Sequence, residues 1–337
     1  MGKRARKINL KQLFRLIYQR NSATKPELAK ITEISLTAIS DYTNQLQELG
    51  WLKCTAKAES SGGRRPQLFE VNGDHRYIMG IDLRPLHHYV FVTDLDHEVL
   101  CREIFSTPDH SYDAYLEDLV ESIQHILMKH GIEKSKILGL GLSVSGITDG
   151  MNKTINRSNE LGWREKPLGN DLEVRLGLPV FVETDVRVYA HNIFDPEDPD
   201  NIAVVLFLSR GIGLAFVIEN KILQGYHNRA GGYFAKELSG LLEIVRTNPI
   251  IREITAKPYY SRSICARDLA ELNEKFQEHI ADSARKEEIE EFTSHIARLM
   301  ISMVNIFDPK QIVLMGNVFD YNDSIFEWVQ EKIQDSD

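Results

Sequence analysis

The residues of this 337-residue chain with the clearest capacity for chemistry lie near its start. Ser60-Ser61-Gly62-Gly63-Arg64-Arg65-Pro66 reads as a hairpin tip that carries two guanidinium groups. Arginines presented this way can enter a DNA minor groove. Thr24, Ser35, Thr37, Ser40 and Asn44 precede them, hydroxyl and amide groups of the kind that read base edges or hold phosphates. The other reactive types are less organised. Cys54, Cys101 and Cys265 are odd in number and lack CxxC spacing, so they read as buried free thiols. His87-His88 has no second ligand at metal spacing and reads as a turn, and the acidic run around Lys286 to Glu291 reads as a solvated helix start.

The elements that must position the first set follow from periodicity. Leu10, Leu13, Phe14, Ile17 and Tyr18 recur at helical spacing behind Asn9, a candidate N-cap. Thr24-Lys25-Pro26-Glu27 is a capping box with proline in the first turn, opening a short second helix through Leu28, Ala29 and Lys30. After a turn over residues 31–34, Ser35 caps a third helix with Ile39, Tyr42, Leu46 and Leu49 facing inward, and Gly50 ends it. Residues 51–55 and 67–71 read as strands flanking the Gly-Arg tip, which completes a winged helix-turn-helix over residues 1–72. Charge agrees with that reading. Residues 1–66 hold thirteen Lys and Arg against five Asp and Glu, a net +8 within an overall charge of -9, so the rest of the chain is acidic. A basic head on an acidic body suits a phosphate-binding module fused to a domain that avoids nucleic acid.

Residues 73–337 alternate strands and helices in two sets, giving an α/β body expected to form two lobes with a cleft between. Strands are expected at 77–83, 88–94, 98–105, 137–144, 179–183, 203–208, 213–218 and 312–315. Helices are expected at 112–130, 185–194, 238–254, 289–307 and 326–333. No run approaches the roughly 20 apolar residues of a membrane span, so no membrane partner and a cytoplasmic location are expected.

Several segments of the body carry a resemblance. Gly62-Gly63-Arg64-Arg65-Pro66, Gly80-Ile81-Asp82-Leu83, the 139–146 loop Gly-Leu-Gly-Leu-Ser-Val-Ser-Gly, Asn159-Glu160-Leu161-Gly162-Trp163 and Phe307-Asp308-Pro309-Lys310-Gln311-Ile312-Val313 together resemble the ROK family of repressors and sugar kinases. The resemblance implies an actin-like, two-lobed sugar-kinase fold fused to the winged helix, as in the xylose and N-acetylglucosamine repressors. It also implies a sugar site at Gly146, Asn159 and Asp185, with His227 and Asn228 replacing lost contacts. Asp185 stands where a family kinase has its general base, and it reads equally as a helix cap. Asn159 reads equally as a turn residue, and His227 as an exposed loop histidine.

Departures from the family pattern favour a regulator over an enzyme. The family's Gly-rich turn after the first strand is Asp82-Leu83-Arg84-Pro85-Leu86-His87 here, and proline supplies no amide for a phosphate. The second phosphate loop is Ser209-Arg210-Gly211-Ile212-Gly213-Leu214. Gly232 and Ala235 stand where the family has a sugar-binding Glu and a zinc-binding His, so neither zinc nor another cofactor is expected. The expected protein is a repressor of carbohydrate genes, xylose metabolism among the candidates. It would bind double-stranded operator DNA and a carbohydrate effector as a homodimer or tetramer. The alternatives are a carbohydrate kinase with a DNA-binding head, and a scaffold that has lost ligand binding. The chain stops earlier than the family pattern, so final bracing helices are expected to be missing or replaced.

Overall fold

The computed structural model describes residues 8–57, 67–107, 111–195, 198–209, 211–231, 239–256, 266–320 and 322–334. The Arg64 and Arg65 tip, Arg210, Gly232, Ala235 and Cys265 lie outside the described residues. The chain divides into two compact units: Met1–Ser143 with Gly150–Thr154 and Glu160–Val182, and Val144–Asp149 with Ile155–Asn159 and Glu183–Asp337.

In the first unit, α1 (Leu10–Gln19), β1 (Ser22–Thr24), α2 (Lys25–Thr32), α3 (Leu36–Glu48), β2 (Leu52–Lys57) and β3 (Gln67–Val71) form the head. Each helix start has the chemistry expected of it. Asn9 and Thr24 form reciprocal capping boxes with Gln12 and Glu27, and the Ser35 side chain accepts from the Ala38 amide. The Thr24 amide and hydroxyl hold the Glu27 carboxyl below the usual carboxylate range. The second helix runs further than its apolar spacing suggests, to Thr32, whose buried hydroxyl donates to the Leu28 carbonyl at 2.6 Å. Leu49 is not part of the inward face: it is 51% exposed, and Thr43 is fully buried in its stead. The α3 terminus is a Schellman turn, with the Gly50 amide on Gln47 O and the Trp51 amide on Leu46 O. Gly50 is required there, since φ is +81° and a Cβ would meet the His75 ring at 2.8 Å. β3 lies between β1 and β2, and the β2–β3 ladder is antiparallel with a bulge at Cys54/Ala56, on a strand where Cys54 is exposed, against the buried thiol expected; Cys101 is buried.

The head's core, built on Leu13, Ile17, Leu28, Ile39 and Leu46, also takes in Leu95 from beyond the head. Leu95 belongs to the turn joining β5 (His87–Thr93) to β6 (Val99–Ser106). The same turn meets the head through polar contacts, with Tyr18 Oη 2.8 Å from His97 Nε2 and Lys53 3.8 Å from Asp96. With β4 (Tyr77–Leu83), β7 (Ile137–Val144) and β11 (Val180–Thr184), these strands make a five-stranded sheet of order β11-β7-β4-β5-β6. Short strands β8 (Ile147–Asp149), β9 (Thr154–Ser158) and β10 (Trp163–Lys166) intervene. Helices α4 (Tyr112–Lys129) and α5 (Leu168–Leu176) complete this part, α5 being a helix that the sequence pattern does not announce. His87-His88 opens β5 and is not a turn, because His88 is fully buried and satisfied by Thr107 Oγ1 at 3.0 Å and Ser122 Oγ at 2.8 Å.

The second unit is organised by β12 (Ile202–Leu208), which pairs antiparallel with β13 (Ile212–Ile218) and parallel with β15 (Gln311–Met315); β14 (Lys221–Ile222) extends the sheet. The unbroken apolar run of β12 reflects burial on both faces. Val204, Leu206 and Leu208 enter a large core with Leu241, Ile251 and Phe292, whereas Ala203, Val205 and Phe207 pack with Val186 and Ala190. Val186 and Ala190 lie on α6 (Asp185–Ala190). The helix expected at 238–254 is two helices, α7 (Ser239–Thr247) and α8 (Pro249–Ala256), since Pro249 cannot continue the first. Helix α9 (Ala266–Ala281) is not among the expected elements, and α10 (Ser283–Phe307) begins earlier than expected, at its true cap, Asp282. Helices α11 (Asn317–Asp320) and α12 (Asp323–Gln334) close the described chain.

Candidate functional site

On the head, α2 and α3 are joined by a tight turn in which Glu33 adopts φ 57° and Ser35 caps α3. Thr37, Ser40 and Asn44 recur along α3 at helical spacing, Thr37 and Asn44 exposed and Ser40 half-buried. Ser35 is exposed, but its oxygen is committed to the cap. Thr24 is 5% exposed, and its hydroxyl donates to Glu27 Oε2 at 2.8 Å, so it acts as a cap and is not an outward contact. Lys25, which no sequence motif singles out, reaches from α2 to α3 and donates to Ser40 Oγ at 2.9 Å and Asn44 Oδ1 at 3.1 Å. Its ammonium also stands 5.1 Å from the centre of the Phe69 ring. The sequence signal for it is a cation in a helix's first turn, where the macrodipole disfavours one.

The first unit's body holds a buried polar cluster at the end of β4. Asp82 is 4% exposed and accepts from Arg84 Nε at 2.8 Å. Burial pushes the Asp82 carboxyl up, with the Arg84 charge opposing. The Ser143 hydroxyl also faces the carboxyl and opposes that rise, but Asp82 Oδ1, Ser143 Oγ and Glu160 Oε2 are buried without a hydrogen bond of good geometry. The neighbouring turn is closed by the Arg84 amide on His87 O at 3.0 Å, and Pro85 has no amide. A nest of free amides, the usual phosphate cradle, is not formed by these two residues.

In the second unit the network centres on Arg187, 3% exposed. Nη2 donates to three carbonyls of one loop, Gln224 at 3.3 Å, Asn228 at 3.0 Å and Ala230 at 3.1 Å, and Nη1 lies 3.4 Å from Glu183 Oε1. Glu183 Oε1 also accepts from Thr148 Oγ1 at 3.1 Å and the Thr184 amide at 2.8 Å. Thr184 Oγ1 donates to the Gly146 carbonyl at 3.2 Å. Gly146 adopts φ +147°, and a Cβ there would stand 2.2 Å from Arg157 O. Gly146, Asp185 and Asn228 are thus linked through Thr184 and Arg187. Asp185 is 6% exposed and follows the true N-cap, Thr184; its Oδ1 accepts from the Val186 amide at 2.8 Å. Asn228 takes φ 56° and contributes its carbonyl, not its amide, to the network. Asn159 is exposed and accepts from Arg157 Nε at 2.8 Å; His227 is exposed with its ring 4.7 Å from that of Tyr226. Arg187 is absent from the residues that sequence motifs single out, although the Glu183–Arg187 spacing of four at a strand-to-helix junction is a visible signal.

Residues 78–233 match the family model described as ROK family. The chain carries a ROK family domain. Over 342 residues it is 20% identical to the xylose repressor of Bacillus spizizenii, covering 97% of this chain and 87% of that protein. It is 21% identical over 334 residues to the DNA-binding transcriptional dual regulator NagC of Escherichia coli, covering 93% of this chain and 81% of that one. A crystal structure of a ROK family transcriptional regulator, a homologue of the E. coli MLC protein, superposes with a TM-score of 0.76 at 18% identity, covering 97% and 87% of the two chains. The ROK hexokinase of Thermus thermophilus superposes at 0.57 and 21% identity, covering 77% of this chain and 88% of that one. The matched region therefore has the α/β, sugar-kinase-like fold of these ROK proteins. No described helix is long and apolar enough to cross a membrane, and no cluster of three or more His, Cys, Asp or Glu among the described residues could hold a metal.

Proposed function

We propose that this protein is a sugar-responsive transcriptional repressor. Its head, residues 1–72, is a winged helix-turn-helix that docks α3 in an operator major groove and the Arg64-Arg65 tip in the adjoining minor groove. Residues 73–337 bind a carbohydrate without phosphorylating it, and the protein acts in the cytoplasm as a homodimer, since one head of this size buries too little surface for operator affinity. The observation that carries the reading is the pairing of a donor-bearing α3 face with a body whose first loop commits its Arg84 amide to His87. The repressor names of full-length relatives support it. Gly146, Asn159, Asp185, His227 and Asn228 are the proposed effector contacts. Arg187 would hold their loop.

Fluorescence anisotropy on the upstream DNA, with and without xylose, N-acetylglucosamine and glucose, tests this. One sugar should weaken operator binding, and the same sugar at a hundred times its dissociation constant should stabilise the fold by about 2.7 kcal/mol. Replacing Arg64 and Arg65 by Ala should lower the salt slope by up to about 0.9 for each phosphate that is no longer neutralised. Phosphoryl transfer from Mg-ATP to any sugar of the panel would overturn the regulator reading in favour of a kinase.

A further inference from the structure

Lys25 is chemically one-sided. An ammonium has hydrogens to donate and no lone pair to accept with, so whatever faces it at hydrogen-bond distance must present an acceptor. Asn44 meets it at 3.1 Å, which forces the amide oxygen toward Lys25 and leaves the two amide hydrogens pointing elsewhere. Ser40 meets it at 2.9 Å, so the hydroxyl oxygen accepts and its own hydrogen is left to donate. The Phe69 ring, 5.1 Å from the ammonium, favours the charge where it stands. Among the described residues no carboxylate pairs with Lys25 at ion-pair distance.

An asparagine that is free to turn reads adenine, accepting from N6 and donating to N7 together. Here Lys25 orients the accepting oxygen toward itself and fills one of its two acceptor sites, and the flank offers donors: the Asn44 amide, the Ser40 hydroxyl and the one remaining ammonium hydrogen. Guanine is the base whose major-groove edge presents two adjacent acceptors, N7 and O6. Asp41, exposed on the same helix, is an acceptor that suits the amino group of the partner cytosine. Resting on the DNA-binding reading above, we infer that Lys25 is a specificity-determining residue: by holding the Asn44 oxygen it turns the recognition helix from an adenine reader into a guanine reader.

Selection of the full-length protein on a randomised duplex pool tests this, with K25M, K25R and N44A run beside the wild type. The wild type should enrich a guanine in each half-site, preferred over adenine by roughly 5- to 100-fold, the range for one good base contact. K25M frees the amide and should admit adenine at that position; K25R, which keeps a donor against the Asn44 oxygen, should retain guanine. N44A should erase the preference at the same position, which keeps the inference exposed should K25M fail to fold by circular dichroism. An unchanged preference in K25M overturns it, as does adenine selected by the wild type. So does a K25M loss that is uniform across sequences with the salt slope reduced by about 0.9, since that is the mark of a phosphate contact. If the wild type enriches no sequence, the DNA-binding reading itself falls, and this inference with it.

Discussion

Two buried arginines, one in each unit, are used in opposite ways. Arg187 is coordinated by three loop carbonyls and the Glu183 carboxylate, and Glu183 in turn accepts from Thr148 and a backbone amide. Arg84 is paired through Nε with Asp82, whose other oxygen, like the nearby Ser143 Oγ and the buried Glu160 Oε2, makes no hydrogen bond of good geometry. A network whose acceptors are met by donors fixes a shape; one with buried acceptors left over carries a desolvation cost. The second unit therefore uses its arginine as a clamp on residues 224–230. The first unit leaves buried polar atoms at the end of β4 without such a match.

The sharpest way to break this contrast is Arg187→Met. It takes the counter-charge from Glu183 and the donor from three carbonyls, and removing one partner of a buried charge network typically costs about 3–5 kcal/mol. Glu183 is 22% exposed, so water offsets part of that and the lower end is expected. Urea denaturation should show the loss, and the sugar response should disappear with the loop's anchoring. A cost under about 1 kcal/mol would mean that the clamp is ornamental.

A second test uses a polar site in the first unit that is fully satisfied. Burial between Thr107 and Ser122 pushes the His88 imidazole down to about 4. In the unfolded chain the same ring titrates near its ordinary value of about 6.5. Between those values the unfolded state binds more protons, so stability is complete above the higher one and is lost as pH falls toward about 4. The total loss is about 3 kcal/mol, read as the extra pH dependence of melting that the wild type shows over His88→Gln. Identical pH profiles for the two proteins would contradict it.

The smallest effect is expected at Asp82→Asn. An amide can keep its oxygen on Arg84 and offer its hydrogens to Ser143 or Glu160, which now lack donors. The lost charge pair and the gained bonds should nearly offset, leaving about 1 kcal/mol or less. A loss as large as that of Arg187→Met would show that the two clusters are alike after all.

Much of this is legible in the residues. The capping boxes at Asn9 and Thr24, the Ser35 cap and the Gly50 terminus are local, since their hydrogen bonds close within about one turn, and they specify the head without reference to the rest of the chain. The continuous apolar run of β12 announces a strand buried on both faces, and Pro85 announces a turn with one amide fewer. What the sequence cannot display are contacts between residues distant along the chain. Lys25 lies fifteen and nineteen positions from Ser40 and Asn44. Arg187 finds its carbonyl partners about forty residues away. His88 looks like part of an exposed pair until Ser122, thirty-four residues on, encloses it. Side-chain type and local spacing decided which helices and turns form. Only the packing of those elements decided which polar atoms became committed to one another, and hence which remain available to a ligand or a base.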